Sequence, residues 1–300
     1  MANLSKIGGR WVNLEKPGGL VIFVSGGTVA HSEGITGGGL GGSDTHRGLD
    51  PEHPKLTIQD ALDDTTAGRG DTVVILPGNV TITAALTMSK ADVTLSGVTD
   101  GSLVNPSAIT VNGAVDGIAV TAANVTIENL HFPASTAAAT SRIDAGAAGL
   151  TIRNNTFECG SNDVETITVP DAGDDLLVEG NRFYVTANGP DAAIEIEAAG
   201  VTRLVVKDNL FQGMNDTNAW DVGAINSGVA HTDCFISGNI STFGPAIIFS
   251  AAALGLIADN DMGEGTLGSM LDPGSCMCTR NFEADAVDQK AREFPTTAAS

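Results

Sequence analysis

Leu176-Leu177-Val178-Glu179-Gly180-Asn181-Arg182-Phe183 is the stretch on which the fold turns. Leu176 and Val178 fall on one side of a period-two alternation and Leu177 and Glu179 on the other, as along a β-strand with one buried face. Gly180-Asn181 then supplies a turn, and Phe183 opens a second apolar run. The octet recurs upstream as Leu150-Thr151-Ile152-Arg153-Asn154-Asn155-Thr156-Phe157 and Val125-Thr126-Ile127-Glu128-Asn129-Leu130-His131-Phe132. Downstream it recurs as Leu204-Val205-Val206-Lys207-Asp208-Asn209-Leu210-Phe211, and more loosely around Ile236, Ile257 and Cys278; a degenerate copy surrounds Leu95.

The central apolar residues Leu95, Ile127, Ile152, Val178, Val206, Ile236, Ile257 and Cys278 are 32, 25, 26, 28, 30, 21 and 21 residues apart. That is the period of a solenoid, in which each repeat buries its apolar face only against its neighbours. Strand, sharp turn and second strand in every copy predict an all-β, right-handed parallel β-helix. Its coils would stack at about 4.8 Å, so eight of them make a prism about 40 Å long. Asn155, Asn181, Asn209, Asn239 and Asn260 fall at the turn of successive copies and are expected to form a hydrogen-bonded ladder.

Upstream, Thr57-Ile58-Gln59-Asp60-Ala61-Leu62 places Thr at an N-cap with Asp three residues on, which predicts a short helix near 57–64. Gly70-Asp71-Thr72-Val73-Val74-Ile75-Leu76-Pro77-Gly78 reads as a strand closed by a Pro-Gly turn. The helix can plug the solenoid, whose first coil would otherwise expose apolar side chains and an open strand edge. The organisation expected is an N-terminal arm over 1–41, the β-helix over 42–282, and a polar helix and tail over 283–300. The arm carries Trp11 and the strand-like run Leu20-Val21-Ile22-Phe23-Val24 between glycine-rich joints. Two readings of it stand: an attachment device using Trp11, Val21 and Phe23, or a strand pairing with the first coil of its own chain.

Gly42-Ser43-Asp44-Thr45, Gly48-Leu49-Asp50-Pro51-Glu52-His53-Pro54, Thr57-Ile58-Gln59 and the strand ending at Pro77-Gly78, with the Ile-x-x-Asn-x-Phe copies, resemble the opening and coils of pectin-lyase-like right-handed parallel β-helix proteins. That resemblance implies a fold and leaves function open: the superfamily includes polysaccharide lyases, glycoside hydrolases, adhesins and the spike and decoration proteins of tailed phages.

Composition narrows the choice. A net charge of −21, with 15 Lys and Arg against 36 Asp and Glu, excludes a basic nucleic-acid surface and disfavours anionic lipid. No apolar window is long enough for a membrane-spanning helix. Lys6 and Arg10 precede only the short run at 20–24, interrupted by Pro17-Gly18-Gly19, so no secretory signal is expected. The four cysteines, Cys159, Cys234, Cys276 and Cys278, lack zinc-knuckle spacing and read as buried thiols. No cofactor or metal is expected.

Enzymes of the resembled superfamily work on the outer faces of the coils. Calcium-dependent lyases there use an Arg base, and polygalacturonase-like hydrolases use Gly-His-Gly and Arg-x-Lys segments; neither segment occurs here. The remaining candidates are carboxylates: Asp163 with Glu165, Asp191 with Glu195 and Glu197, and Asp221. In Ile194-Glu195-Ile196-Glu197 the glutamates alternate with inward isoleucines, so they face out together. Two such groups suffice in principle for glycoside hydrolysis, and stacked like charges raise a pKa. Against this, 127–278 holds five basic residues to twenty acidic ones, which would repel a polyuronate. With Phe132, Phe157, Phe183 and Phe211 inside, Tyr184 and Trp220 are the expected sugar-stacking candidates. The first expectation is therefore a non-enzymatic virion protein assembled in the host cytoplasm, a homotrimer docked on a capsid or tail protein. The second is a polysaccharide hydrolase or lyase using Glu165, Glu195, Glu197 and Asp221.

Overall fold

The computed structural model describes residues 4–7, 10–13, 19–25, 42–98, 106–135, 137–161, 163–170, 172–187, 190–198, 200–215, 219–249, 252–265, 270–285 and 291–293. Among these, nearly all strands fall into three stacks, of ten, ten and eight strands. The chain visits the stacks in turn. Leu177–Glu179 lies in the first sheet, Arg182–Val185 in the second and Ala192–Ile196 in the third; Val205–Lys207 then returns to the first, one strand along. Val178 pairs with Val206, Phe183 with Phe211 and Ile194 with Ile225, all in parallel. The protein is a right-handed parallel β-helix, the hand that twisted parallel strands joined by crossovers adopt.

The period-two alternation puts one apolar column inside each sheet. In the first, Ile22, Val73, Leu95, Ile127, Ile152, Val178, Val206, Ile236, Ile257 and Cys278 are in register and all buried. In the second, Phe132, Phe157, Phe183 and Phe211 stack with ring centroids 4.8 to 4.9 Å apart. Trp220, expected on the surface, is buried edge-on to Phe211. Ser241 follows Phe211 in the register, and a small residue there leaves volume for the indole.

The turn between the first and second sheets needs a left-handed residue, supplied by Asn154, Gly180, Asp208, Gly238, Asp259 and Arg280 at φ of 51° to 65°. The next residue in each coil is a buried asparagine. Each Oδ1 accepts from the backbone N–H one coil earlier, at 2.9 to 3.1 Å, and each Nδ2 donates to that coil's strand carbonyl, as Asn181 does to Ile152 at 2.9 Å. From Asn155 on, Nδ2 also reaches the next asparagine's Oδ1. The ladder runs through Asn155, Asn181, Asn209, Asn239 and Asn260 to Asn281, which the sequence reading left out of it.

The ends are closed differently from each other. Ile58–Asp63 is the helix, capped by Thr57 Oγ1 accepting from Asp60 N–H, and it buries Ile58, Ala61 and Leu62 in the core. No helix among the described residues is long and apolar enough to cross a membrane. Val21–Val24 is the first strand of the first sheet, parallel to Thr72–Ile75, and its outer edge bonds to Gly48 and Lys55. The boundary expected at residue 41 therefore cuts through the solenoid. Phe23 is buried with Val74, Leu76 and Val98, Val21 packs against them, and neither is a free attachment side chain. Trp11 lies on Arg10–Asn13, which pairs antiparallel with Leu4–Ile7.

At the other end, where a helix within 283–300 is expected, the described residues 283–285 and 291–293 are strand. Phe282–Asp285 extends the second sheet, and Ala291–Glu293 pairs antiparallel with it, covering an edge that another chain could otherwise extend. All four cysteines are free and buried. Burial pushes the Cys159 thiol to about 12 and that of Cys278 to about 11. Cys234 and Cys276 bring their Sγ atoms to 3.5 Å, with Gly255 between them in the register.

Candidate active site on the third sheet

The third sheet turns its outer side chains into a row. Asp144, Thr168, Glu195 and Asn226 are successive partners across four strands, while their neighbours Ile143, Ile167, Ile194 and Ile225 point into the core. Asn226 Nδ2 donates to Glu195 Oε2 at 2.7 Å. Glu165, at the start of its strand, pairs with Ala192 and lies beside the same face.

Glu165 is half-buried. Partial burial, then the charges of Glu197, Asp191 and Glu195, push its pKa up to about 7. Burial also raises Glu195, against the Asn226 hydrogen bond, and Asp144, with Asp116 and Glu197 adding to the effect. Asp116 accepts from Ser141 Oγ at 2.9 Å. Among the described residues no cation pairs with Asp144, Glu165, Asp191, Glu195 or Glu197. A carboxylic acid that holds its proton near neutrality within a group of carboxyl side chains is the arrangement from which acid–base chemistry is built. Among the described residues no three His, Cys, Asp or Glu side chains are grouped to hold a metal ion.

The structure brings Glu165, Glu195 and Glu197 together and leaves out two of the expected carboxylates. Asp163 is buried and pairs with Arg142 at 2.8 Å, with Gly160 N–H donating to it as well. Asp221 is exposed where the chain enters the next coil, and is not among the groups that raise Glu165. Asp174 and Asp175 hold a turn: Asp174 accepts from Thr202 N–H at 2.7 Å, and Asp175 pairs with Arg203. Tyr184 is half-buried on the second sheet, not on this face. The sequence reading missed Asp144 and Asn226. Their offsets from the next central apolar residue, 8 and 10, differ from the 11 of Glu195, because the loops between third and first sheets differ in length.

Three stacked sheets, a left-handed residue at each turn from the first sheet to the second and an asparagine ladder define the molecule. The architecture is a right-handed parallel β-helix. No family model and no curated protein matches the chain. Among solved structures it is similar to pectate lyase Pel9A, at 12% identity and a TM-score of 0.46, over 93% of this chain and 78% of that one. It is also similar to a rhamnogalacturonan lyase, at 11% identity and a TM-score of 0.38, over 87% of this chain and 73% of that one.

Proposed function

We propose that this β-helix is a structural component of a virion surface, a decoration or spike protein that docks on a capsid or tail protein and assembles as a homotrimer in the host cytoplasm. The observation that carries the reading is the asparagine ladder: six buried amides in successive coils bond to one another and to strand backbones, which makes a stiff rod. The resemblance of 42–282 to pectin-lyase-like β-helix proteins, a superfamily that includes phage decoration and spike proteins, suggests the class. The test is purification of assembled particles. The protein is expected in them at a fixed stoichiometry, and its absence would overturn the reading.

A second reading rests on Glu165. With its pKa pushed up to about 7 and the Glu197 and Asp191 carboxyl groups near it, Glu165 would protonate a glycosidic oxygen while a neighbour activates water or attacks. A screen of capsular and pectic polysaccharides for new reducing ends tests it, with Glu165→Gln, Glu195→Gln and Glu197→Gln in parallel. Cleavage by the wild type that is lost in Glu165→Gln would establish this reading. No cleavage of any of them would remove it.

A further inference from the structure

One column of the core changes its chemistry toward the C-terminal end. The position two residues before the central apolar residue is Leu150, Leu176 and Leu204 in three successive coils, all buried, and Cys234, Gly255 and Cys276 in the next three. Cys234 pairs with Gly255, and Gly255 and Cys276 directly precede the paired Leu256 and Met277, so the column runs thiol, no side chain, thiol. The glycine is what lets the thiols meet. A Cβ on residue 255 would collide with Cys234 Sγ, and without one Cys234 Sγ and Cys276 Sγ come to 3.5 Å across the intervening coil. Both cysteines are buried in the core.

Spacing decides what such a pair can hold. Backbones two coils apart are separated by on the order of 9 Å, whereas a disulfide needs Cα atoms within about 7 Å, so the thiols face each other without being placed to join. Structural zinc takes four ligands, and among the described residues no three His, Cys, Asp or Glu side chains are grouped to hold an ion. A soft d10 ion such as Cu(I) needs only two thiolates. A linear sulfur–metal–sulfur unit spans about 4.5 Å, twice a metal–thiolate bond, which the two sulfurs reach by parting about 1 Å. The hydrogen bond between the thiols pushes the Cys234 pKa down and the Cys276 pKa up, so the pair releases its first proton more readily than its second.

We propose that Cys234 and Cys276 form a two-coordinate site for Cu(I) inside the solenoid. Two S–H bonds break, two S–Cu bonds form, both protons leave to solvent, and copper keeps its oxidation state. Entry is from the end of the rod: Met277–Thr279 is the last strand of the first sheet, so opening of a single coil uncovers Cys276. The bound ion ties that last coil to the coil of Cys234 across the one between them.

Competitive titration of the reduced full chain with the Cu(I)–bicinchoninate complex under argon is the test, with Cys234→Ala, Cys276→Ala and Cys278→Ala alongside and circular dichroism to verify folding. Wild type is expected to take one Cu(I) per chain and to unfold at a higher temperature with it bound. Cys234→Ala and Cys276→Ala should each weaken binding at least about 100-fold, no less than the loss of an outer-shell partner costs, while Cys278→Ala should bind as wild type does. If the first two variants do not fold, X-ray absorption at the copper edge of the wild-type complex decides, with two sulfur neighbours and no others expected. A wild type that takes no copper from the chelator would overturn the proposal, as would binding that survives in Cys234→Ala and Cys276→Ala. A third sulfur neighbour, or loss of binding in Cys278→Ala, would overturn the two-coordinate site. A Cys234–Cys276 disulfide formed in the folded chain on treatment with diamide would overturn it too, because the thiols would then be close enough to join.

Discussion

The turn between the first and second sheets and the outer face of the third sheet belong to the same coils yet are opposites in polar chemistry. At the turn every buried amide has its partners in the coils next to it, from Asn155 to Asn281. On the third sheet Asp144, Glu165 and Glu195 are half-buried and held toward the protonated form by burial and by neighbouring carboxylates, Glu197 acting on all three. Coil geometry therefore repeats where the polar groups satisfy one another. Where they do not, the carboxylates are free for chemistry or for repulsion, and they carry a stability cost at neutral pH.

The largest effect should come from a buried charge that lies outside both regions. Asp163→Ala leaves Arg142, 1% exposed, without its carboxylate, and should destabilise the protein by about 3–5 kcal/mol in chemical unfolding. Next is the ladder. Asn181→Leu removes the acceptor of the Asn155 N–H and Nδ2 and the donor to the Ile152 carbonyl, and should cost about 3 kcal/mol. A loss under about 0.5 kcal/mol would mean that the ladder is decoration on a fold held by its apolar columns.

How far these regions were legible in the sequence follows from the same contrast. The ladder asparagines could be read because each stands three residues after an inward anchor in an octet of fixed length, as Asn181 after Val178. Loops of varying length separate the third sheet from the next anchor, so Glu195 and Glu197 were visible through their alternation with isoleucine while Asp144 and Asn226 were not. Local pattern also misled where the end of the solenoid imposed its own demand. A polar run after Ala284 suits a helix, but the edge of the second sheet takes Ala291–Glu293 as a strand.

On the acidic face, Glu165→Gln sharpens the comparison with a change of opposite sign. The folded-state pKa of Glu165, about 7, lies above its unfolded value, so the folded protein binds more protons between the two. Its contribution is absent below about pH 4, and a penalty grows as pH rises through 7. Glu165→Gln should therefore stabilise at pH 8 by about 1 kcal/mol, after allowance for solvent screening of a partly exposed group, and by almost nothing at pH 4. Thermal unfolding at the two pH values reads this; equal effects at both would remove the electrostatic account of the face. Smallest is Arg153→Ala, which breaks the surface pair with Glu128 and should change stability by less than about 0.5 kcal/mol in the same unfolding assay.

Amide hydrogen exchange tests the central claim most directly. The backbone N–H groups of Asn155, Asn181, Asn209, Asn239 and Asn260 each donate to the Oδ1 of the next asparagine, and nowhere else does a side chain close the backbone in five successive described coils. They should fall together in the slowest-exchanging class, with protection near the free energy of global unfolding. Exchange of these five amides at the rate of exposed turns, or at unrelated rates from coil to coil, would contradict a continuous ladder as the spine of the molecule.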